Sequence, residues 1–583
     1  MPALVLQKVF FMLMTWHEGT TAIDVAQVIF HGLQLDLAVT SYLLTLPWLL
    51  LFVHVFLPNR FTKKLLWGYY CAVALVVSII IVADASLYPF WHFKLDASVF
   101  LYTDKPKDAM ASVSTMFIIQ RMLWVAVWTW LITRSAMAIN VFKDISFTAR
   151  KLLVSCIFIL LGGLIFLGIR GGVGKGTNNV SVAYYSENQY LNHASVNPVF
   201  NLIYSLGKQE DFGSEAQFFE QAECDILLSG IYNTESIPTD TLLTTTRPNI
   251  LLVIWEGACT YVCDSLNAAP NLKALSAEGV SFTGCIANSF RTDRGQLSLL
   301  SGWPAIPKTS LMKLPEKCDH LSALPRTLLN AGYETKFWYG GDISFANTGG
   351  YMHQTGFRKT VSDKDFPASQ KATDWGIYDG TLLDKLTDEL LAEAPETRSF
   401  HTVMTLSSHE PWKVPVSNFD NERLNAFSYT DECIGRMISR LKKSPRWDNM
   451  LVIITSDHGV PLTDNQSLAE ANVIRIPMLW IGGAVKQPKR ITTLCNQADL
   501  PATLLGQMQI DHRDFIFSRD VLSATYAYPN AFHCYNGGIT FVDSTGMTTY
   551  DLDGNMSIAS PDKSRENKAK AILQNLYRKI ADL

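Results

Sequence analysis

Charge is what this chain lacks most. Asp, Glu, Lys and Arg make up 17% of its 583 residues, against about 25% in soluble domains. That deficit, beside 48% apolar residues, excludes a disordered or collagen-like chain. No internal repeat, low-complexity tract or basic stripe is present, so nothing points to nucleic acid. The cysteines lack a metal-knuckle pattern. Cys259 and Cys263 have no second pair and no His pair nearby, which argues against a zinc knuckle.

What charge there is divides unevenly. Residues 1–170 carry 13 Lys and Arg against 8 Asp and Glu, and the remainder carries 36 against 45. A sparse, slightly basic front joined to an acidic back reads as a membrane anchor followed by a globular domain. Leu37–Asn59, Leu65–Ala83 and Leu152–Ile169 are uncharged for 23, 19 and 18 residues. Each is long enough to cross about 30 Å of hydrocarbon as a helix. Val113–Thr133 is a fourth candidate, interrupted by Arg121, and Val9–His17 a short fifth that could be the remnant of a helix starting upstream. Arg60, Lys63 and Lys64 crowd one connecting loop; Arg134, Lys143, Arg150 and Lys151 crowd another. Cationic loops stay cytoplasmic. Five spans then start inside, and the loop Ser86–Ser112 and everything after Ile169 lie outside, despite Lys94, Lys105 and Lys107 in that loop. The expected organisation is a transmembrane helical domain at 1–170, a junction at 171–247 and an extracytoplasmic domain at 248–583 on the cytoplasmic membrane.

From Pro248 onward, apolar runs alternate with amphipathic ones. NILLVIW (Asn249–Trp255) and MLVIIT (Met450–Thr455) read as strands buried on both faces. Tyr333–Tyr339, His401–Leu406 and Pro477–Ile481 read as further strands. Leu321–Asn330, Asp379–Ala394, Arg423–Lys443 and Asp499–Gly506 read as helices, with Asp379 a cap and Lys563–Leu583 a charged tail helix. This alternation predicts an α/β domain with a mostly parallel central sheet, and ligands bind such sheets beyond the carboxyl ends of the strands.

Chemistry collects at those ends. The first strand runs into Glu256, the MLVIIT strand into Ser456-Asp457-His458-Gly459, and the His401 strand into Ser407-Ser408-His409-Glu410-Pro411. Between them lies Asn288-Ser289-Phe290-Arg291-Thr292-Asp293-Arg294, just before a helix-like Gln296–Leu300. A helix N-terminus with arginines is a ready phosphate site. Two carboxylates and a histidine near a hydroxyl suit one divalent cation, with manganese, magnesium and zinc equal on ligand softness. A hydroxyl on such a cation becomes a nucleophile. His353, His401, His512 and His533 read as structural.

The order ILLVIWEG, FRTDRG, SSHEPW, VIITSDHG behind apolar spans resembles the lipoteichoic-acid-synthase-like phosphoglycerol transferases, in the sulfatase branch of the alkaline phosphatase superfamily. The resemblance implies one metal, usually manganese, held by Glu256, Thr292, Asp457 and His458. It implies Thr292 as the nucleophile and His409 as a contact to the phosphoglycerol group. It further implies a phospholipid donor, phosphatidylglycerol, and an acceptor that is a cell-envelope polymer or glycan. This chain departs from the family after the threonine, where Asp293 and Arg294 stand in place of Gly and Gln, and it lacks a His in Trp338–Asn347. Arg294 is then a further expected substrate contact. A phosphoethanolamine transferase and a phosphodiesterase that passes the group to water are the enzymatic alternatives; an inactive membrane scaffold is the non-enzymatic one. An arylsulfatase is disfavoured, because Cys285 has no Pro two residues on. Eight cysteines beyond the spans permit disulfides without fixing a connectivity, and free buried thiols remain equally open.

Overall fold

The computed structural model describes all residues except 58–60, 92–93, 103–113, 139–150, 174–177, 179, 184, 187, 207–211, 213–214, 234, 236–239, 344, 374, 395 and 464–465. Arg60, Lys105, Lys107, Lys143 and Arg150 of the charge argument therefore lie outside the described residues. The chain forms two compact units that divide within the stretch read as a junction, after Glu210.

Four helices of the first unit are long and apolar enough to span a membrane: Ala22–Phe56, Phe61–Trp91, Thr115–Ala138 and Lys151–Arg170. The fifth candidate, Val9–His17, overlaps Pro2–Met14, whose 13 residues rise only about 20 Å at 1.5 Å each. Among the described residues the count is thus four long helices and one short one, close to the five spans expected. Side chains such as Leu152, Leu160 and Met122 are among the most exposed in the unit. Apolar surface of this kind is stable against lipid, not water, and the protein is a multi-pass membrane protein.

The second unit is built on an eight-stranded sheet. Its strands are β1 (Asn249–Trp255), β2 (Val280–Phe282), β3 (Glu334–Tyr339), β4 (Lys359–Val361), β5 (Ser399–Met404), β6 (Met450–Ser456), β7 (Met478–Ile481) and β8 (Lys489–Ile491). The spatial order is β8-β2-β7-β6-β1-β5-β3-β4. All pairs are parallel except those of β7, which runs antiparallel to β6 and β2. β1 and β6 are buried along their whole length, as expected of central strands covered on both faces. Leu251, Val253 and Trp255 pack into one core with Leu382, Leu386 and Leu390 of the helix Asp379–Ala392 and Ile434 and Met437 of the helix Glu422–Leu441. The alternating residues of β1 turn to the opposite face.

Register positions the chemistry. Trp255 of β1 stands opposite Ser456 of β6 in a parallel pair. The next residue on each strand is therefore Glu256 beside Asp457, side by side at the carboxyl edge of the sheet.

Candidate metal centre

Glu256, Asp457 and His458 offer one ligand atom each, all within 4.8 Å of one another. His458 Nε2 lies 3.2 Å from Glu256 Oε1 and 3.4 Å from Asp457 Oδ2. Its other nitrogen, Nδ1, is 3.1 Å from the Gly459 carbonyl, a bond that makes Nδ1 the donor and aims Nε2 inward, as metal-binding histidines are usually held. Thr292 joins from the other side, its Oγ1 donating to Glu256 Oε2 at 3.0 Å. The structure thus brings all four expected ligands together.

Backbone and hydrogen bonds hold each of them. The Glu256 N–H donates to Thr405 Oγ1 (3.0 Å), and its carbonyl accepts from Ser408 Oγ (2.7 Å). Asp457 Oδ1 accepts from the Gly257 and His458 N–H groups at 2.9 and 2.8 Å. Gly257 makes its contact by turning the chain back at φ +68°, a conformation that disfavours any side chain. The helix Thr292–Ser301 begins at the threonine itself, a turn earlier than its apolar periodicity suggests. It reaches the strand tip because residue 295 is glycine; a Cβ there would sit 2.1 Å from the Asp457 carbonyl oxygen.

Electrostatically the cluster is a strained set of like charges. Burial works to raise Glu256, but the hydrogen bond and charge of His458 outweigh it and hold this carboxyl down at about 2. Asp457 is pushed up to about 7 by burial and by the Glu256 charge. Burial lowers His458, yet the carboxylates of Asp457 and Glu256 carry it up to about 9. Asp457 Oδ2 is buried without a hydrogen-bond partner. Two carboxylates share one imidazole, and a divalent cation fits this donor set by supplying the missing positive charge.

The other expected residues fall nearby or inward. His409 is half-buried, with Nδ1 2.8 Å from the Glu410 carbonyl and its ring 4.5 Å from that of Trp375. Its charge contributes to holding Glu256 down. Arg294 is only 3% exposed, so it is no surface arginine. Its Nη2 donates to Asn536 Oδ1 at 2.9 Å, while Nε and Nη1 have no hydrogen-bond partner. Asp293 faces Lys313 at 3.6 Å; burial would raise it, and the cations of Lys313, Arg294 and Arg291 hold it low.

Two supporting residues escape a reading by motif. Gln497 Nε2 donates to the Ser456 and Asp457 carbonyls at 2.7 and 2.6 Å. Asp379 caps no helix; fully buried, it accepts from the Leu406 and Ser407 N–H groups and from Thr430 Oγ1. It thereby anchors the loop that carries His409. Neither contact leaves a local sequence signal, because the partners are 27 to 51 residues away in sequence. His401, with Nε2 2.7 Å from Glu393, and His533 are buried in the interior and play the structural role expected of them.

The sequence model of the sulfatase family matches residues 248–510. The second unit thus carries a sulfatase-family domain. The chain is similar to the phosphoglycerol transferase I of Xanthomonas campestris pv. campestris, 26% identical over a 316-residue alignment that covers 49% of this chain and 44% of that one. The protein of the same name from Salmonella arizonae is 25% identical over 219 residues, covering 33% of this chain and 28% of its own. The chain thus matches less than half the length of these curated relatives. Among solved structures, an alkaline phosphatase superfamily protein from Vibrio parahaemolyticus aligns over 63% of this chain and 97% of its own, at TM-score 0.53 and 25% identity. The lipoteichoic acid synthase LtaP from Listeria monocytogenes aligns over 62% and 98%, at TM-score 0.52 and 19% identity, a likeness of fold.

Proposed function

We propose that the protein moves a phosphoglycerol head group from phosphatidylglycerol to an acceptor in the cell envelope, through a covalent phosphothreonine at Thr292. The observation that carries this reading is the 3.0 Å bond from Thr292 Oγ1 to Glu256 within the acidic cluster. The printed names of the curated relatives support the head group. Glu256, Thr292, Asp457 and His458 would hold one divalent cation, manganese by family resemblance. Bound there, the cation neutralises charge on the transferring phosphate and favours the alkoxide of a coordinated hydroxyl.

The residues then divide the work. Thr292 Oγ1 forms a bond to phosphorus as the diacylglycerol oxygen leaves with the electron pair of the bond that breaks. The threonine proton passes on to the departing diacylglycerol oxygen, so that none stays on the strongly acidic Glu256. An acceptor hydroxyl next attacks the same phosphorus and displaces Thr292 Oγ1, which regains a proton. Splitting the transfer lets diacylglycerol leave before a bulky acceptor arrives. His409 Nε2 and Arg294 are the proposed head-group contacts.

The domain is assigned to the external face of the cytoplasmic membrane. With four spans, the cationic loops share one face and the chain beyond Arg170 emerges on the other, the same outcome that five spans would give. A reporter fused after Lys64 should read as cytoplasmic and one after Gly230 as external. For the chemistry, purified protein with manganese is given phosphatidylglycerol or, separately, phosphatidylethanolamine, each labelled in the head group. Label on Thr292 and release of diacylglycerol from the first lipid are expected. Label from the second lipid alone would transfer the assignment to a phosphoethanolamine transferase, and release without label on Thr292 would refute the covalent route.

A further inference from the structure

Each of the ten cysteines is a free thiol in this structure, and most outer ones are isolated in the core. Cys224, Cys318 and Cys534 each donate to a backbone carbonyl, those of Ala571, Leu311 and Ala305. Cys259 and Cys263 lie one turn apart, the Cys263 N–H donating to the Cys259 carbonyl, so a bond between them would fasten nothing beyond that turn.

Cys285 and Cys495 are different. They sit on two short strands, Cys285–Ile286 and Cys495–Asn496, that pair in parallel with the two cysteines directly opposite each other. Both are buried, at 0% and 2% exposure, and the facing Cys495 thiol, together with burial, pushes the Cys285 thiol up. Opposed residues on neighbouring strands have Cα atoms about 5 Å apart, inside the range of roughly 4.4 to 6.8 Å that a disulfide spans.

We propose that Cys285 and Cys495 are joined by a disulfide in the mature protein, and that the bond clamps the segment bearing Thr292 to the segment supporting Asp457. The hydrogen bonds around the pair give the clamp its purpose. Three residues beyond Cys285, the Asn288 N–H donates to Gln497 Oε1 at 3.2 Å, and Asn288 Nδ2 donates to Asn496 Oδ1 at 3.0 Å. Gln497 in turn holds the Ser456 and Asp457 carbonyls. One cross-link at the base of this bridge would keep the threonine segment and the metal-binding strand tip in register.

The chemistry requires an oxidant, an oxidised dithiol carrier of the kind found outside the cytoplasm. Each thiol loses its hydrogen as the Sγ–Sγ bond forms. The two electrons and two protons reduce the carrier's disulfide through a mixed disulfide. Burial sets the timing: once the strands close, no carrier reaches either sulfur, so the bond forms during folding and is afterwards shielded from mild reductants. The inference rests on the external placement proposed above, and its test is separable from it, since reporter fusions read the face and peptide mapping reads the bond.

The full chain is extracted from membranes with an alkylating reagent and no reductant, unfolded in fresh reagent, digested and mapped by mass spectrometry. The peptides of Cys285 and Cys495 should be recovered joined and lacking two hydrogens, separating only after reduction of the unfolded chain. Recovery of both as singly alkylated thiols without any reduction would overturn the proposal. The double variant Cys285→Ser, Cys495→Ser tests the clamp through amide hydrogen exchange. Amides between Ile286 and Thr292 should exchange at least several-fold faster than in the wild type, and unchanged rates would leave the clamp without support. Should that variant fail to fold, the same comparison is made on wild-type chain whose thiols were reduced and alkylated before refolding, with the same two readings.

Discussion

Two buried clusters, one in each unit, hold charge in opposite ways. In the membrane unit the buried carboxylates Asp36 and Asp84 each have a lysine. Lys8 Nζ lies 2.5 Å from Asp36 Oδ1, which also accepts from Asn197 Nδ2 at 2.8 Å, and both members of the ion pair are fully buried. Asp84 bonds to Lys94 and accepts from the Leu95 N–H. In the sulfatase domain two buried carboxylates, Glu256 and Asp457, have only His458 between them. An unpartnered oxygen does not separate the cases, since Asp36 Oδ2 and Asp457 Oδ2 both lack a hydrogen bond. Charge balance does. A matched pair in a low-dielectric interior is a complete structural fastening. An acidic set with too few cations is stable only with protons or a metal, the mark of the proposed site.

The comparison breaks most severely at Thr292, the residue that adds chemistry to the acidic set. Thr292→Ala should lower head-group release by about 1,000-fold or more, the scale of losing a nucleophile, while weakening cation binding only modestly. Thr292→Ser keeps the oxygen and should retain a measurable part of the rate. Unimpaired release by Thr292→Ala would move the nucleophile elsewhere. Ser289 is a poor substitute, because its hydroxyl is 1% exposed and donates to the Cys534 carbonyl at 2.7 Å.

Neutralising one aspartate in each unit tests the contrast directly. Asp457→Asn keeps an oxygen to accept from Gly257 and His458 and removes a carboxylate that burial and Glu256 disfavour. Cation affinity should be lost, by on the order of 100-fold or more, with the unfolding temperature of the cation-free protein unchanged or raised. Asp36→Asn should do the reverse. It strands Lys8 in the interior and should destabilise its unit by about 3–5 kcal/mol, with cation affinity intact. Equal thermal shifts in the two variants would erase the distinction.

How much of this was legible in the sequence follows from how local each signal is. β1 and β6 were readable because strands buried on both faces are continuous apolar runs, and their last residues carried the site with them. The helices Asp379–Ala392 and Glu422–Leu441 followed from amphipathic spacing to within two residues at either end. β2, β4 and β8 are three residues each, too short for any periodicity, and Lys359 and Lys489 made two of them look like loops. The first turn of the Thr292 helix was hidden by Thr-Asp-Arg-Gly, residues that favour caps and turns. The short fifth candidate is a helix of 13 residues at the start of the first unit. Gln497 was invisible for a different reason: its role lies in two carbonyls 40 and 41 residues away.

Protons can stand in for the missing cation, which makes affinity depend on pH. With His458 raised to about 9 and Asp457 to about 7, the cation-free site near pH 6 holds a proton on each. Both must leave before the atoms can ligate. Affinity should therefore rise with pH, most steeply below about 7, by roughly tenfold per unit between 7 and 9 where one proton is displaced, and level off above 9. Calorimetric titration in buffers of different ionisation enthalpy reads the released protons. A pH-independent affinity would mean that the apo cluster is not protonated as its charges require.

Arg294 carries the smallest expected effect, and it asks what a buried cation does without an anion. Its single hydrogen bond is to the neutral Asn536, its guanidinium lies 5.1 Å from the Phe290 ring centroid, and two of its nitrogens are unpartnered. Lys8 and Lys94, by contrast, each face a carboxylate. Arg294 follows Thr292, the proposed nucleophile, by two residues in the same helix, so a phosphate held at that helix N-terminus would be the natural counter-charge. Arg294→Met preserves much of the side-chain volume and removes only the charge and its donors. If the guanidinium reads the head group, KM for phosphatidylglycerol should rise about tenfold with kcat changed by less, and binding should lose part of its salt dependence. If it merely packs against Phe290, KM stays unchanged and the variant differs only in stability. That outcome would place Arg294 with the lysines of the membrane unit, as a fastening and not a reader of substrate.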